Sequence, residues 1–222
     1  LTLDMFNHGS SLNYAGIRSA FYSAAFLLQR VIADKLDVDP VEIEIADIRK
    51  VYSENGRETA EIILTDELPN GSGFVRRLFN NINEIIQETV MPHVDTTYLG
   101  NIHSEWHQKA CKDACYDCLK VFRNMNYHGL LDWRLGITLM RVLLDRNYLA
   151  GVDGQFNGFT ELEGWPNDAL RLRDSFAESF EFDVLEGFGL PAVLVSKTKK
   201  YYVIIIHPFW NCKVDKNGEL DI

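Results

Sequence analysis

HQKACKDACYDCLKVFRNMNYHGLLDWRLG, residues 107–136, holds three of the four cysteines of a 222-residue chain: Cys111, Cys115 and Cys118, with His107 one helical turn upstream. Soft thiolates suit Zn²⁺, and a C-x-x-C pair puts two sulfurs on one tight turn where a single ion takes both. The spacing HxxxCxxxCxxC therefore predicts a structural zinc site. Its fourth ligand stays open. If the segment before Cys111 is one helix, His103, His107 and Cys111 share a face, which makes His107 the first choice ahead of Cys212, His128 and His103. A thioredoxin-like redox pair fits less well, because that motif belongs near a βαβ unit and here a third cysteine crowds the pair.

Downstream, HGLLDWRLGITLMRVLL is an amphipathic helix with Leu130, Leu131, Leu135, Leu139 and Leu143 or Leu144 inward. His128 at its start reads as a cap or as a histidine bonded to backbone, and Asp132 and Arg134 are expected to fix the metal loop against the helix. Upstream, Ile17, Phe21, Ala24, Leu28, Val31 and Ile32 recur at helical spacing between Ser10 and Leu36, with Ser10 or Ser11 as cap and Pro40 enforcing the end. VEIEIADI and AEIILTDEL then read as a hairpin across SENGRE. One helix, FVRRLFNNINEIIQETV, follows the turn at Asp66–Gly73. A strand, a glycine turn and a helix start make an anion site conceivable: Gly71, Ser72 and Gly73 would present amides while Arg76 and Arg77 add charge. Asp66 and Glu67 are read as turn and cap residues. The turn lacks the GxxxxGK[ST] and GxGxxG patterns, and no DExH box occurs.

At 25.4 kDa and 46 % hydrophobic residues the chain can bury a core. YYVIII is too short to span a bilayer, LTLDMFNHG lacks signal-peptide character, and a cytoplasmic protein without membrane contact is expected. The leading Leu1 suggests a fragment of something longer. A net charge of −10 excludes a protein whose whole surface grips nucleic acid, so any DNA contact is local. Lys120 with Arg123 is a further candidate spot beside Arg76 and Arg77, as are Lys109 with Lys112 and the lysines 197, 199 and 200.

Composition shifts at NYLAGVDGQFNGFTELEGWP, dividing the chain into 1–148 and 149–222. The second part reads as a short helix followed by the strands FDVLEG, PAVLVSK and KYYVIIIHPFW, with Tyr201–Ile206 central; these strands either close the first sheet or form a small α/β subdomain. Asp183, Glu186 and Lys197 invite comparison with metal-dependent nucleases, but the E-x-K element is missing. No G-x-S-x-G elbow or HExxH occurs, and no catalytic residue is assigned. The fold class expected is α+β: a small mixed or antiparallel sheet packed with several helices and a Cys-rich zinc site.

ACYDCLKVFRNMNYHGLLDWRLG (114–136) and TDELPNGSGFVRRLF (65–79) together resemble the cysteine-bearing domain at the C-terminus of certain bacterial superfamily-two DNA helicases, the Mrf-type repair helicases and helicase-like phage-defence proteins among them. The resemblance runs from about Asn7 to Leu144. It implies a zinc-bearing, non-catalytic accessory module working beside helicase motor domains, on the same chain or a separate subunit, with DNA as a possible partner. The family pattern often has four cysteines, and Lys109 stands about where the first belongs. The alternative reading is an acidic protein-interaction scaffold in which zinc only staples the fold.

Overall fold

The computed structural model describes residues 11–52, 54, 56, 58–67, 73–145, 147–187 and 189–210, and the backbone of 213–214 and 220–221. The chain forms two compact units, Leu1–Tyr148 and Leu149–Ile222. Helices combine with small antiparallel sheets, the α+β class expected; the strands form three separate sheets instead of one.

In the first unit, α1 (Ala15–Leu36) buries Phe21, Ala24, Leu28, Val31 and Ile32 as the periodicity requires, while Ile17 is only half-buried; it also buries the small Ala20 and Ser23. These small side chains let α6 (Trp133–Leu144) approach closely, and α6 is the helix that α1 packs on most extensively. Gly136 is the contact point: a Cβ there would stand 3.0 Å from the backbone carbon of Ser23. The inward face of α6 is accordingly Gly136, Ile137, Leu139 and Met140. Leu131 is buried, but Leu130 and Leu135 are only half-buried, so the expected leucine stripe is rotated. The cause is the start of the helix, which Asp132 caps by accepting from Arg134 and Leu135 amides. Helix α1 begins later than expected. Its N-cap is Tyr14 without a side-chain cap bond, while the Ser11 hydroxyl accepts from Asn13 N; Ser10 lies outside the described residues. It ends at Asp37, which adopts a left-handed conformation with φ 54°, before Pro40 is reached.

The hairpin forms from β1 (Ile43–Tyr52) and β2 (Glu58–Asp66), with a register shift between Ile45 and Asp47 that leaves Ala46 bulged. The expected single helix after it is two, α2 (Phe74–Phe79) and α3 (Ile82–Val90), because Asn80 and Asn81 interrupt it. Asparagine bonds readily to nearby backbone and so favours helix ends over interiors. Then come α4 (Tyr98–His103), α5 (Glu105–Ala110) and a 3₁₀ segment, Phe122–Tyr127.

In the second unit, α7 (Trp165–Phe180) precedes a sheet of β3 (Asp183–Leu185), β4 (Ala192–Ser196) and β5 (Tyr201–Ile204), in the order β3-β4-β5. The central strand is β4, whose Ala192 and Val193 are fully buried. Tyr201–Ile204 is an edge strand with both tyrosines exposed, contrary to the sequence expectation. A long apolar run predicts burial only if strands flank it on both sides, and among the described residues β4 is its one partner. His207 packs edge-on against Trp165, ring centroids 4.9 Å apart, beside Phe209 and Trp210. Two short strands, β6 (Lys213–Val214) and β7 (Leu220–Asp221), pair with each other.

Candidate metal centre

Three short pieces of local structure bring His107, Cys111, Cys115 and Cys118 together. The helix expected through His103, His107 and Cys111 is broken at Ser104, an extended residue whose hydroxyl accepts from His107 N at 3.1 Å and starts α5. This turn carries His103 away, where its Nε2 meets the Thr89 carbonyl oxygen at 2.9 Å. His107 is fully buried. Its Nδ1–H donates to Ile102 O at 3.1 Å, which leaves Nε2 as the free lone pair for a metal. Cys111 ends α5 in an extended conformation with its N–H on His107 O, 2.8 Å away. At the C-x-x-C turn, the amides of Cys118, Leu119 and Lys120 converge on Cys115 O, and Cys115 N–H donates to Cys118 Sγ at 3.0 Å.

The four donor atoms lie within 4.8 Å of one another. A tetrahedral Zn²⁺ with sulfur at about 2.3 Å and nitrogen at about 2.0–2.1 Å requires S–S separations of about 3.8 Å and S–N of about 3.6 Å. The chain shows Cys111–Cys118 at 3.8 Å, Cys115–Cys118 at 3.6 Å and Cys115 Sγ–His107 Nε2 at 3.6 Å. The donor set and its spacing therefore fit zinc. Acidity is divided unevenly among the sulfurs. The Cys111 thiol bonded to Cys118 pulls the latter down to about 4 against its burial. Cys111 is pushed up by that same bond and by burial, and Cys115 chiefly by burial. A bound dication favours thiolate at all three.

The cluster is clamped from α6, by residues far along the chain. Arg134 donates from Nη1 to Cys111 O at 3.1 Å and Lys112 O at 2.6 Å, and from Nη2 to Gln108 O at 2.9 Å. Its guanidinium lies 4.4 Å over the Trp133 ring. Trp133 is fully buried, stands 5.1 Å from the His107 ring and donates from Nε1 to Cys111 O. On another side Tyr98 donates to Cys118 O at 2.9 Å while Arg30 sits over its ring; burial raises the Tyr98 phenol. The DWR run of residues 132–134 pointed to the arginine clamp, whereas nothing local marked Trp133 or Tyr98 as walls of the site.

The other candidates lie elsewhere. His128 Nε2 faces Val121 O at 3.1 Å and Asn124 Oδ1 at 2.9 Å, a histidine bonded within its own turn. Lys109 is exposed and paired with Glu105, and His107 is the fourth member of the cluster. Cys212, Gly71 and Ser72 lie outside the described residues. Gly73, with φ 75°, starts α2, but the amides there are taken: Gly73 N and Val75 N donate to the Asp66 carboxylate at 2.8 and 3.0 Å. A carboxylate already bound where a phosphate would sit leaves the helix start negative. Arg76 and Arg77 are exposed on α2, Lys120 is half-buried and Arg123 exposed beside the 3₁₀ segment. Asp183 pairs with Lys197 at 2.6 Å and Glu186 with Arg173 at 3.5 Å. Among the described residues the only metal-ligating group of three or more is the histidine-cysteine cluster, which leaves the nuclease comparison without a metal site.

Residues 24–119 match the family described as MZB, the MrfA Zn-binding domain, over somewhat less than half of the chain. The match begins inside α1 and ends just past Cys118, so the resemblance to that zinc-binding domain holds over a shorter span than 7–144, and α6 lies beyond it. No curated protein and no solved structure matches the chain.

Proposed function

We propose that the chain is a non-catalytic accessory module of a DNA helicase, in which zinc is structural and the module seats against motor domains and DNA. The observation that carries the structural role is the closed donor set. Four protein ligands complete a tetrahedron, two of them fully buried, so no position is left for water or substrate. Zinc bound there supplies a cross-link joining α5 to the C-x-x-C turn. The helicase association is supported by the match of 24–119 to a domain described by its occurrence in MrfA. A reducing cytoplasm suits three free thiols. Among the described residues no helix is long and apolar enough to cross a membrane.

Metal content by mass spectrometry on the purified chain and on His107→Ala tests the first step, with one zinc per chain expected for the former and a marked loss for the latter. The second step is tested by the salt dependence of single-strand and duplex DNA binding. Phosphate contact must weaken steeply with ionic strength. Binding insensitive to salt, or none, leaves the second reading, an acidic protein-interaction scaffold. That reading is favoured by the net charge of −10 and by the Asp66 carboxylate at the start of α2.

A further inference from the structure

A groove of about 800 Å³ opens in the first unit between β1, α1 and the 3₁₀ segment. One wall contains every residue of the run 43–48. Side chains alternate across a strand, so a sheet face would contribute every second residue; an unbroken run means that β1 turns its edge to the groove. The hairpin is a two-stranded sheet and all recorded strand pairing of β1 is with β2. On the outer edge, Gln29 Nε2 donates to Ile43 O. Beyond it Glu44, Ala46 and Asp47 are exposed and Ile45 and Ile48 half-buried. Natural edges are blunted by lysine, proline, charge, a bulge or cover; the stretch 44–48 has the bulge at Ala46 and the carboxylates of Glu44 and Asp47 but neither lysine nor proline.

The opposite wall gives side-chain contacts. Phe122 is 82 % exposed and Tyr127 39 %, with the Tyr127 ring 4.9 Å from Tyr22. Charge selects the occupant. Asp39, Glu44, Asp47 and Glu67 line the groove with Arg30 and Arg123; Arg30 is engaged over the Tyr98 ring, Asp39 accepts from Val41 N and Glu44 from the Thr65 hydroxyl. The balance is negative, which disfavours phosphate and favours lysine or arginine side chains that can also lie on the aromatic wall.

We propose that the outer edge of β1 takes up an extended basic peptide segment of a partner protein as a third strand, with its alternate cationic side chains toward Glu44 and Asp47 and its apolar ones on Phe122 and Tyr127. Backbone pairing gives affinity in this mode, and side chains on alternate positions give specificity. The proposal stands whether or not the chain serves a helicase.

The test uses the full zinc-loaded chain and labelled ten-residue peptides read by fluorescence anisotropy. A peptide alternating lysine and valine is expected to bind. The same peptide with glutamate for lysine should bind at least tenfold more weakly, and the lysine peptide with alternate backbone amides methylated should lose binding. Ala46→Pro, a substitution that an edge bulge tolerates, should weaken binding tenfold with zinc content unchanged. Failure of the lysine peptide to bind at millimolar concentration overturns the proposal, as does binding indifferent to amide methylation. Sedimentation showing a dimer that Ala46→Pro abolishes overturns it too, since a second copy would then own the edge. Tighter binding of a single-stranded oligonucleotide at the same groove, lost in Arg123→Glu, overturns it in favour of nucleic acid.

Discussion

Replacing Arg134 by methionine should loosen zinc without touching a ligand. The guanidinium makes three hydrogen bonds to the carbonyl oxygens of Gln108, Cys111 and Lys112. All three belong to the end of α5 or the turn beyond it, where carbonyls lack helical partners and a cation is favoured. A typical hydrogen bond contributes about 1 kcal/mol net, so the three together contribute about 3 kcal/mol. Part is given back because Arg134 Nε is buried without a partner in the native fold. Methionine fills the space of the stem, and the loss comprises the polar fork and the cation–π contact of the guanidinium with the Trp133 ring. With about 1.4 kcal/mol to each tenfold, a loss of about 2–3 kcal/mol from the loop geometry that zinc requires lowers affinity about thirty- to hundredfold, within the range known for groups that orient metal ligands. Lysine, a single ammonium without a fork, should recover only a small part. The assay is transfer of zinc to a chromophoric chelator at neutral pH, with circular dichroism to show that α1 and α6 persist. Affinity within twofold of the parent for Arg134→Met, or full recovery by lysine, would refute the clamp.

Cys118→Ser should abolish zinc retention and give molten or insoluble protein, because the site's binding energy is part of the folding energy; an unchanged melting temperature would sink the structural role. Gly136→Ala sets two effects against each other. Alanine gains about 1 kcal/mol as a helix former, while its Cβ would meet Leu27 Cδ1 at 2.7 Å and the Ser23 backbone at 3.0 Å, overpacking of the kind that costs about 1–3 kcal/mol. Net destabilisation of about 1 kcal/mol is expected by denaturant melting, and a more stable variant would show that α1 and α6 are not in such close contact. Asp132→Ala should cost about 1 kcal/mol by removing the cap of α6. Burial raises the Asp132 carboxyl to about 6, above its unfolded value, so this group's contribution falls as pH rises between about 4 and 6. Asp132→Asn, which keeps the cap, should remain at least as stable as the parent at pH 7. The second unit should show the opposite slope over a similar window. Burial lowers His207 to about 3, so the unfolded chain binds a proton that the native one refuses, and stability is lost as pH falls from about 6.5. His207→Phe should flatten that acid limb in thermal melts followed by tryptophan fluorescence.

Elements whose partners are near in the chain were readable in advance. The hairpin followed from alternation and a polar turn, and the metal site from the spacing of 107, 111, 115 and 118. One long helix was read where two exist, at Asn80–Asn81 and again at Ser104. At Ser104 a hydroxyl that accepts from the His107 amide outweighs apolar periodicity, and at Asn80–Asn81 two residues of low helix propensity do so. The central position given to Tyr201–Ile206 misjudged a strand whose apolar content suggested two neighbours when, among the described residues, it has one. The glycine turn illustrates a different limit. Residues 65–79 suit an anion by composition, yet Asp66 folds onto the amides that an anion would need, and only coordinates reveal which carboxylate reaches which donor.

By itself, then, the sequence determined that three thiolates and an imidazole could meet around one ion, because ligands spaced by three or four residues are brought together by a single turn of helix or a tight loop. It also determined the hairpin. Tertiary structure alone decided how Arg134 and Trp133 hold the loop and which face of α6 is inside. Those outcomes depend on residues more than twenty positions apart. Such pairs meet only in the packed fold, and a local pattern carries no record of a contact made at that distance.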